Sequence, residues 1–306
     1  MGGNALKQKG ITVRRINSKE LKRVEAVITA KLIDLGIESW TPNSIKNKDS
    51  HGDADIYYLA DDKKNIIELM GIESYVKNGN MIHYAFEGDI QVDLIKVKPK
   101  DWWATRLFYS NGDMGNFLGK VLRFYGFKLS HEGLIYEIKK ESKKGRVGKK
   151  DFLISNNYFE IARLIGLDAE KIKSGFSSNE DLFDWVLNWD LCCPSMFNLE
   201  KMNSRDRIRS AKRIQYTEFT DYIKKKGVEN KNIKKPCGHK ESLSFLGSNQ
   251  DNLSHSILLE EMNLVKSLDA SDKKAEIRKK IVEKWRSIGY EGKELGEKVK
   301  QELDNG

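Results

Sequence analysis

Two aspartates two positions apart, Asp53 and Asp55, open the run Asp53-Ala54-Asp55-Ile56-Tyr57-Tyr58-Leu59, whose aromatic and aliphatic side chains favour a buried strand. On a strand, positions i and i+2 face the same side, so the two carboxylates stand together at its start. Like charges held that close repel, and a cation between them relieves the repulsion. Hard oxygen ligands of this kind suit Mg²⁺. A third acid, Asp93, lies alone in Ile90-Gln91-Val92-Asp93-Leu94-Ile95, where an unpaired carboxylate is costly to bury. Acid pairs at this spacing are commonly solvated turn residues. Gly52 in front, a strand behind and a third acid in an apolar run argue instead for a cluster that holds a divalent ion.

The elements that must position these acids are readable in order. A helix is predicted from about residue 19 to 35, with Ser18 as N-cap, an apolar face of Val24, Val27, Ile28, Leu32, Ile33 and Leu35, and Gly36 as its end. A short strand over 38–41 leads to the polar loop at Asn43-Ser44. Residues 66–70 suit a strand or a short helix. Strands are predicted over 81–86 and 90–97, joined at Glu87-Gly88-Asp89 and forming one sheet with the Asp53 strand. Trp102 and Trp103 are expected in the core. Two helices over 104–125 break at Ser110-Asn111-Gly112, and a strand pair over 128–139 turns at His131-Glu132-Gly133. Residues 143–150 read as a basic, glycine-punctuated loop, 157–166 as a short helix, 227–256 as a polar linker and 257–303 as helical.

A chain of 306 residues suffices for two or three domains. Its 54 lysines and arginines against 45 acids leave a net charge of +9, which points to a polyanionic partner, nucleic acid first. No apolar run reaches membrane-spanning length and no charged-then-apolar leader opens the chain, so a cytoplasmic protein without a membrane partner is expected. Three cysteines, two of them adjacent, make no disulfide framework. Cys237-Gly238-His239 lacks further ligands at zinc spacing.

Four segments, in order, resemble the polymerase beta type of nucleotidyltransferase, and within it the family X DNA polymerases. Asn43-Ser44-Ile45-Lys46 with Ser50-His51-Gly52-Asp53-Ala54-Asp55 resembles the Gly-Ser loop followed by Gly-Asp-x-Asp. Val92-Asp93-Leu94 resembles the strand of the third carboxylate. Leu107-Phe108-Tyr109-Ser110-Asn111-Gly112-Asp113 resembles the Tyr-Phe-Thr-Gly-Ser-Asp turn, with the aromatic order reversed. Asn179-Glu180-Asp181-Leu182-Phe183-Asp184-Trp185-Val186 resembles the closing acidic segment. The likeness covers roughly residues 19 to 190. The opening Met1-Gly2-Gly3-Asn4-Ala5-Leu6-Lys7 resembles nucleotidyltransferases of large bacteriophages, in which Gly2, Gly3, Arg14 and Arg15 would approach a phosphate. Residues 285–296 faintly resemble the closing segment of CCA-adding enzymes.

The resemblance implies an α+β fold: a mixed-sheet nucleotidyltransferase palm, a polymerase beta-type second subdomain and a mostly helical C-terminal extension. The expected divisions are an arm over 1–17, the palm over 18–103, a nucleotide- and primer-binding subdomain over 104–196 and a basic extension over 197–306. It implies two Mg²⁺ ions (Mn²⁺ as the substitute), with Asp53 and Asp55 bridging both and Asp93 holding the one that activates a 3′-hydroxyl. Ser44, Lys46, Ser50 and Gly52 would face the nucleotide phosphates, Phe108 and Tyr109 its sugar, Asp113 and Asn116 its base. Lys stands where the family has Arg in the loop, and the altered aromatic order leaves deoxy- against ribonucleotide open. Lys120, Arg123, Arg146, Lys149, Arg205, Arg207 and Arg209 are the expected nucleic-acid contacts, the last three part of a basic stripe with Lys212 and Arg213. The implied partners are a nucleoside triphosphate and nucleic acid, as DNA primer and template or an RNA 3′ end. Two other readings stand beside the family X polymerase: a tRNA or RNA 3′-end nucleotidyltransferase, and a non-catalytic nucleic-acid-binding protein. The sequence leaves the oligomeric state open.

Overall fold

The computed structural model describes residues 5–59, 64–230, 233–247 and 251–304, so the expected Gly2-Gly3 phosphate contact lies outside the described residues. The elements are α1 (Ser18–Asp34), β1 (Ser39–Trp40), β2 (Ala54–Leu59), α2 (Ile66–Met70), β3 (Tyr75–Asn78), β4 (Met81–Phe86), β5 (Ile90–Val97), α3 (Trp102–Phe108), α4 (Met114–Phe124), β6 (Phe127–Ser130), β7 (Gly133–Glu141), β8 (Val147–Ser155), α5 (Tyr158–Leu164), α6 (Ala169–Ser174), α7 (Asn179–Asn188), α8 (Ser204–Ala211), α9 (Ile214–Lys226), α10 (Gly238–Leu243), α11 (Asp251–Ser287) and α12 (Gly292–Asp304). This is a mixed α+β chain with a helical C-terminal region. Two compact units divide it: Met1–Ile135 with Leu153–Ser248, and Tyr136–Phe152 with Asn249–Gly306. Residues 197–248 therefore lie in the first unit.

The first unit is built on a five-stranded mixed sheet in the order β1-β2-β5-β4-β3. Only β2 and β5 run parallel; the other neighbours are antiparallel. Strand alternation sorts the residues between the two faces. Ala54, Ile56 and Tyr58 of β2, Val92 and Leu94 of β5, and Ile82 and Tyr84 of β4 join Leu21, Val24, Ile28 and Leu32 of α1 in one buried core. Burying each such helix side chain is worth roughly 1.5–3 kcal/mol, which pins α1 to the sheet. The opposite face carries Asp55 and Asp93.

Helix α1 is capped by Asn17 rather than Ser18: the Asn17 side chain accepts from the Glu20 amide and Glu20 reaches back, a capping box. Ser18 instead donates its hydroxyl to the Lys48 carbonyl at 2.5 Å. Val27 and Ile33, expected on the apolar face, are exposed, and Leu21 takes part instead. Trp102 is buried, but Trp103 is 44% exposed, with the Arg106 guanidinium over its ring.

Helices α4, α7 and α9 pack around a cluster of aromatic rings. Phe117 of α4 lies 4.6 Å from Phe219 of α9, and Phe219 also meets Phe183 of α7 at 5.0 Å and Phe197 at 4.8 Å. The second unit pairs part of the β7–β8 hairpin with α11 and α12. The expected basic loop is shorter than its sequence suggests, because β8 begins at Val147. In α11 and α12, Ile281, Leu295 and Val299 form a small core with Trp285 and Tyr290, and Trp285 donates its indole N–H to Glu302. The segment that resembles CCA-adding enzymes is thus the turn and packing of a helical hairpin.

Candidate metal centre and nucleotide site

Parallel pairing of β2 with β5 places Asp55 directly opposite Asp93. Asp53 precedes β2 by one residue, and one carboxylate oxygen from each of the three acids lies within 4.8 Å of those from the other two. Asp93 is buried, while Asp53 and Asp55 are half-buried. The Asp93 Oδ1 accepts hydrogen bonds on two sides: Gln91 Nε2 donates at 2.9 Å and His83 Nδ1 lies at 2.7 Å. His83 is the register partner of Asp93 on β4. Both contacts orient the third carboxylate, and neither residue was singled out in the sequence. The only trace is a histidine in an otherwise apolar strand.

Without a cation, burial first and the Asp53 and Asp93 charges next push the Asp55 carboxyl up to about 7. Glu25 of α1 adds to this negative field and is itself raised to about 7 by burial. Lys48 acts against this field but does not outweigh it, and the donor set is all hard oxygen, which fits one or two divalent cations. An unfolded aspartate titrates near about 3.9. Between that value and 7 the folded chain holds a proton that the unfolded chain has released, so stability falls as pH rises through this window. The metal-free protein is expected to lose up to ~4 kcal/mol from this group between about pH 4 and pH 7. Mg²⁺ should raise the melting temperature at about pH 8 and have little effect at about pH 5, where the proton competes with it. Thermal melts in EDTA and in Mg²⁺ at both pH values check this; equal Mg²⁺ shifts at the two would contradict it.

Two distant segments meet beside the acids. The Asn43 amide donates to the Ser110 carbonyl at 2.8 Å, and the Asn43 side chain donates to Asn111 and to the Lys173 carbonyl. Asn43 therefore clamps its loop to the 110–111 turn. Ser44 follows it half-buried, and Lys46 is exposed. Tyr109 leaves the turn to stack on Tyr57 at 5.3 Å, and Tyr57 follows Asp55 on the same face of β2. Phe108 meets Tyr109 edge-on at 5.0 Å. Helix α4 starts tightly behind this turn: a Cβ on Gly115 would stand 2.1 Å from the Phe108 carbonyl oxygen, so only glycine fits.

Other expected contacts already have partners within the chain. The Ser50 hydroxyl accepts from Arg15 Nε at 2.7 Å, and Arg15 also donates to the Ser50 carbonyl. Gly52 is half-buried just before Asp53. Asp113 accepts from Asn116 Nδ2 at 2.9 Å and is ion-paired with Arg213, while its amide donates to Gln215. Arg213 and Gln215 lie at the start of α9, about 100 residues away in sequence; Arg213 belongs to the expected basic stripe, but no local pattern announces its pairing with Asp113 or the role of Gln215. Arg146, expected on nucleic acid, is instead paired with Asp272 at 2.8 Å. Lys140 pairs with Glu261 at 2.8 Å, and Lys144 and Lys150 pair with Glu276 and Glu260. The basic segment thus finds its anions on α11, leaving Lys149 exposed beside them. Arg205, Arg207 and Arg209 are exposed on α8, and Lys120 and Arg123 lie on α4.

No family model matches the chain, and no curated protein matches it. Among solved structures, Leishmania infantum polymerase beta in a ternary gap complex aligns with 40% of this chain at 13% identity and a TM-score of 0.32. The aligned part spans about half of that polymerase, 51% of its chain, and a likeness this small carries no argument about activity. Among the described residues, no helix is long and apolar enough to cross a membrane.

Proposed function

We propose that the chain is a divalent-metal-dependent nucleotidyltransferase of the polymerase beta type, adding a nucleoside monophosphate from a nucleoside triphosphate to a nucleic-acid 3′-hydroxyl. One observation carries the reading. Asp53 just before β2, Asp55 on β2 and Asp93 on the parallel strand β5 bring their oxygens within 4.8 Å of one another. The four ordered sequence segments support it, as does the Tyr109–Tyr57 stack that sets the nucleotide turn beside the acids.

Asp53, Asp55 and Asp93 would hold Mg²⁺. When bound, the metal supplies charge stabilisation for the attacking and leaving oxygens. The chain's own residues do the rest. His83 and Gln91 fix the Asp93 carboxylate, so its orientation is set before a ligand arrives. The Asn43 clamp holds Ser44 and Lys46 facing the triphosphate, and Gly52 allows its close approach. Tyr109 supports the sugar from its place on Tyr57. Asp113 and Asn116 recognise the base, with Arg213 and Gln215 holding Asp113 in place.

Incubation with Mg²⁺, each labelled dNTP or NTP, and primed DNA, single-stranded DNA or tRNA tests the proposal. Extension of at least one acceptor by a labelled nucleotide is the expected outcome, and it should vanish in EDTA. Extension of tRNA alone by NTPs would assign the RNA-end reading. Absence of any product, with nucleic acid still bound, would leave the non-catalytic reading.

A further inference from the structure

We infer that the cleft between α4 and α8 is a phosphate-binding pocket for the acceptor strand, formed by Lys120, Arg123, Arg209 and Arg213. Its occupant rests on the nucleotidyltransferase reading above; the pocket itself rests on geometry. Two of these cations come from α4 and two from the α8–α9 segment, and they line one cleft. Arg209 and Arg213 lie beyond the part of the sequence that resembles a known family.

The charge in the cleft is not balanced. Asp206 is the one acid lining it among the described residues, and it stands 4.0 Å from Lys120 Nζ while also accepting from Asn203. Asp113 engages Arg213 from the side of the nucleotide turn. That leaves Arg123 and Arg209 facing Lys120 as like charges. Burial first, then Arg123 and Arg209, hold the Lys120 ammonium below the ordinary lysine range, against the pull of Asp206. An anion in the cleft would relieve that repulsion. Ser210 adds a neutral hydrogen-bonding group to the lining, and Asn116, held to Asp113, marks its edge toward the nucleotide turn.

Size and position identify the anion. The cleft holds about 140 Å³, whereas sites that enclose a whole drug-sized ligand run to roughly 300–1,000 Å³. A single phosphate suits it better than a nucleotide. Phe108 forms one wall. On the far side of Phe108 come Tyr109 and then Tyr57 beside the acids. Two rings thus separate the cleft from the catalytic strand. A triphosphate held at the acids is displaced from it, whereas a strand repeating its phosphate every few ångströms can occupy it.

The full chain with Arg123→Gln and Arg209→Gln together tests this, against Lys224→Gln with Lys225→Gln as a charge-matched control on exposed α9. The probe is a fluorescent single-stranded oligonucleotide, titrated by anisotropy in EDTA over a salt series. The pocket variant is expected to lose about tenfold or more in affinity, and its salt slope should fall by roughly 1.4, at about 0.7 per lost phosphate contact. The control should change by about twofold at most. In the transfer assay, the pocket variant should raise the KM for acceptor and leave that for nucleotide unchanged. Equal losses in the two variants would overturn the inference in favour of diffuse surface charge. So would unaltered oligonucleotide affinity, or a raised nucleotide KM with acceptor binding intact. Because binding is read without metal or turnover, absence of transfer activity would defeat the enzymatic reading alone and leave the pocket decided by the affinities.

Discussion

Asp93→Asn is expected to lower nucleotidyl transfer by roughly a thousandfold or more while the protein stays folded. The substitution keeps the shape of the side chain and an oxygen for Gln91 Nε2 and His83 Nδ1. It removes the negative charge. Charge stabilisation by a bound metal is worth several kcal/mol, and each 1.36 kcal/mol is about tenfold in rate. Folding should survive for the same reason. Asp93 is 4% exposed and faces two other carboxylates, so losing its charge relieves repulsion in the metal-free chain. Steady-state kinetics at saturating Mg²⁺, alongside a thermal melt in EDTA, check both halves. Turnover within about tenfold of the parent would remove Asp93 from the metal centre.

Phe117→Ala should produce the largest loss of stability of any single change considered. The ring is fully buried and touches Phe183, Phe197, Tyr216 and Phe219, drawn from three separate segments. Truncating such a ring costs about 3–5 kcal/mol, since the cavity cannot collapse evenly against rigid neighbours. For a unit of this size, a fall in melting temperature on the order of 10 °C follows. Chemical denaturation should show a lowered midpoint with little change in slope. A cost below about 1 kcal/mol would mean that α9 does not pack against α4 as described.

The acids and their strands were legible because they depend on local pattern. Asp55 and Asp93 each interrupt an apolar strand run, and the period of two sets each on the face away from its apolar neighbours, which the register of β2 with β5 then brings together. The break between α3 and α4 was legible from Ser110-Asn111-Gly112. What escaped depends on contacts distant in sequence. The pairing of His83 with Asp93 follows from strand register. Nothing near Arg146 in the sequence announces a partner, because Asp272 lies 126 residues on. Residues 147–150, the start of β8, read as loop because Gly148, Lys149 and Lys150 have low strand propensity, and pairing with β7 overrides that. Strand β3, four residues ending in Lys77 and Asn78, is too short and polar to stand out. The loop that holds Asn43 is legible from its polar residues, but its clamp on the 110–111 turn appears only when the two segments meet.

The central claim is that three carboxylates, two on neighbouring strands and one just before the first of them, hold a catalytic divalent cation. Titration of the protein with Mn²⁺, followed by the electron paramagnetic resonance of the free ion, tests it directly. The parent chain at about pH 8, where Asp55 is ionised, should remove Mn²⁺ from solution in proportion to protein. Added Mg²⁺ should displace it, and Asp55→Asn should leave nearly all of it free. Equal uptake by parent and variant, or no uptake by either, would contradict the account.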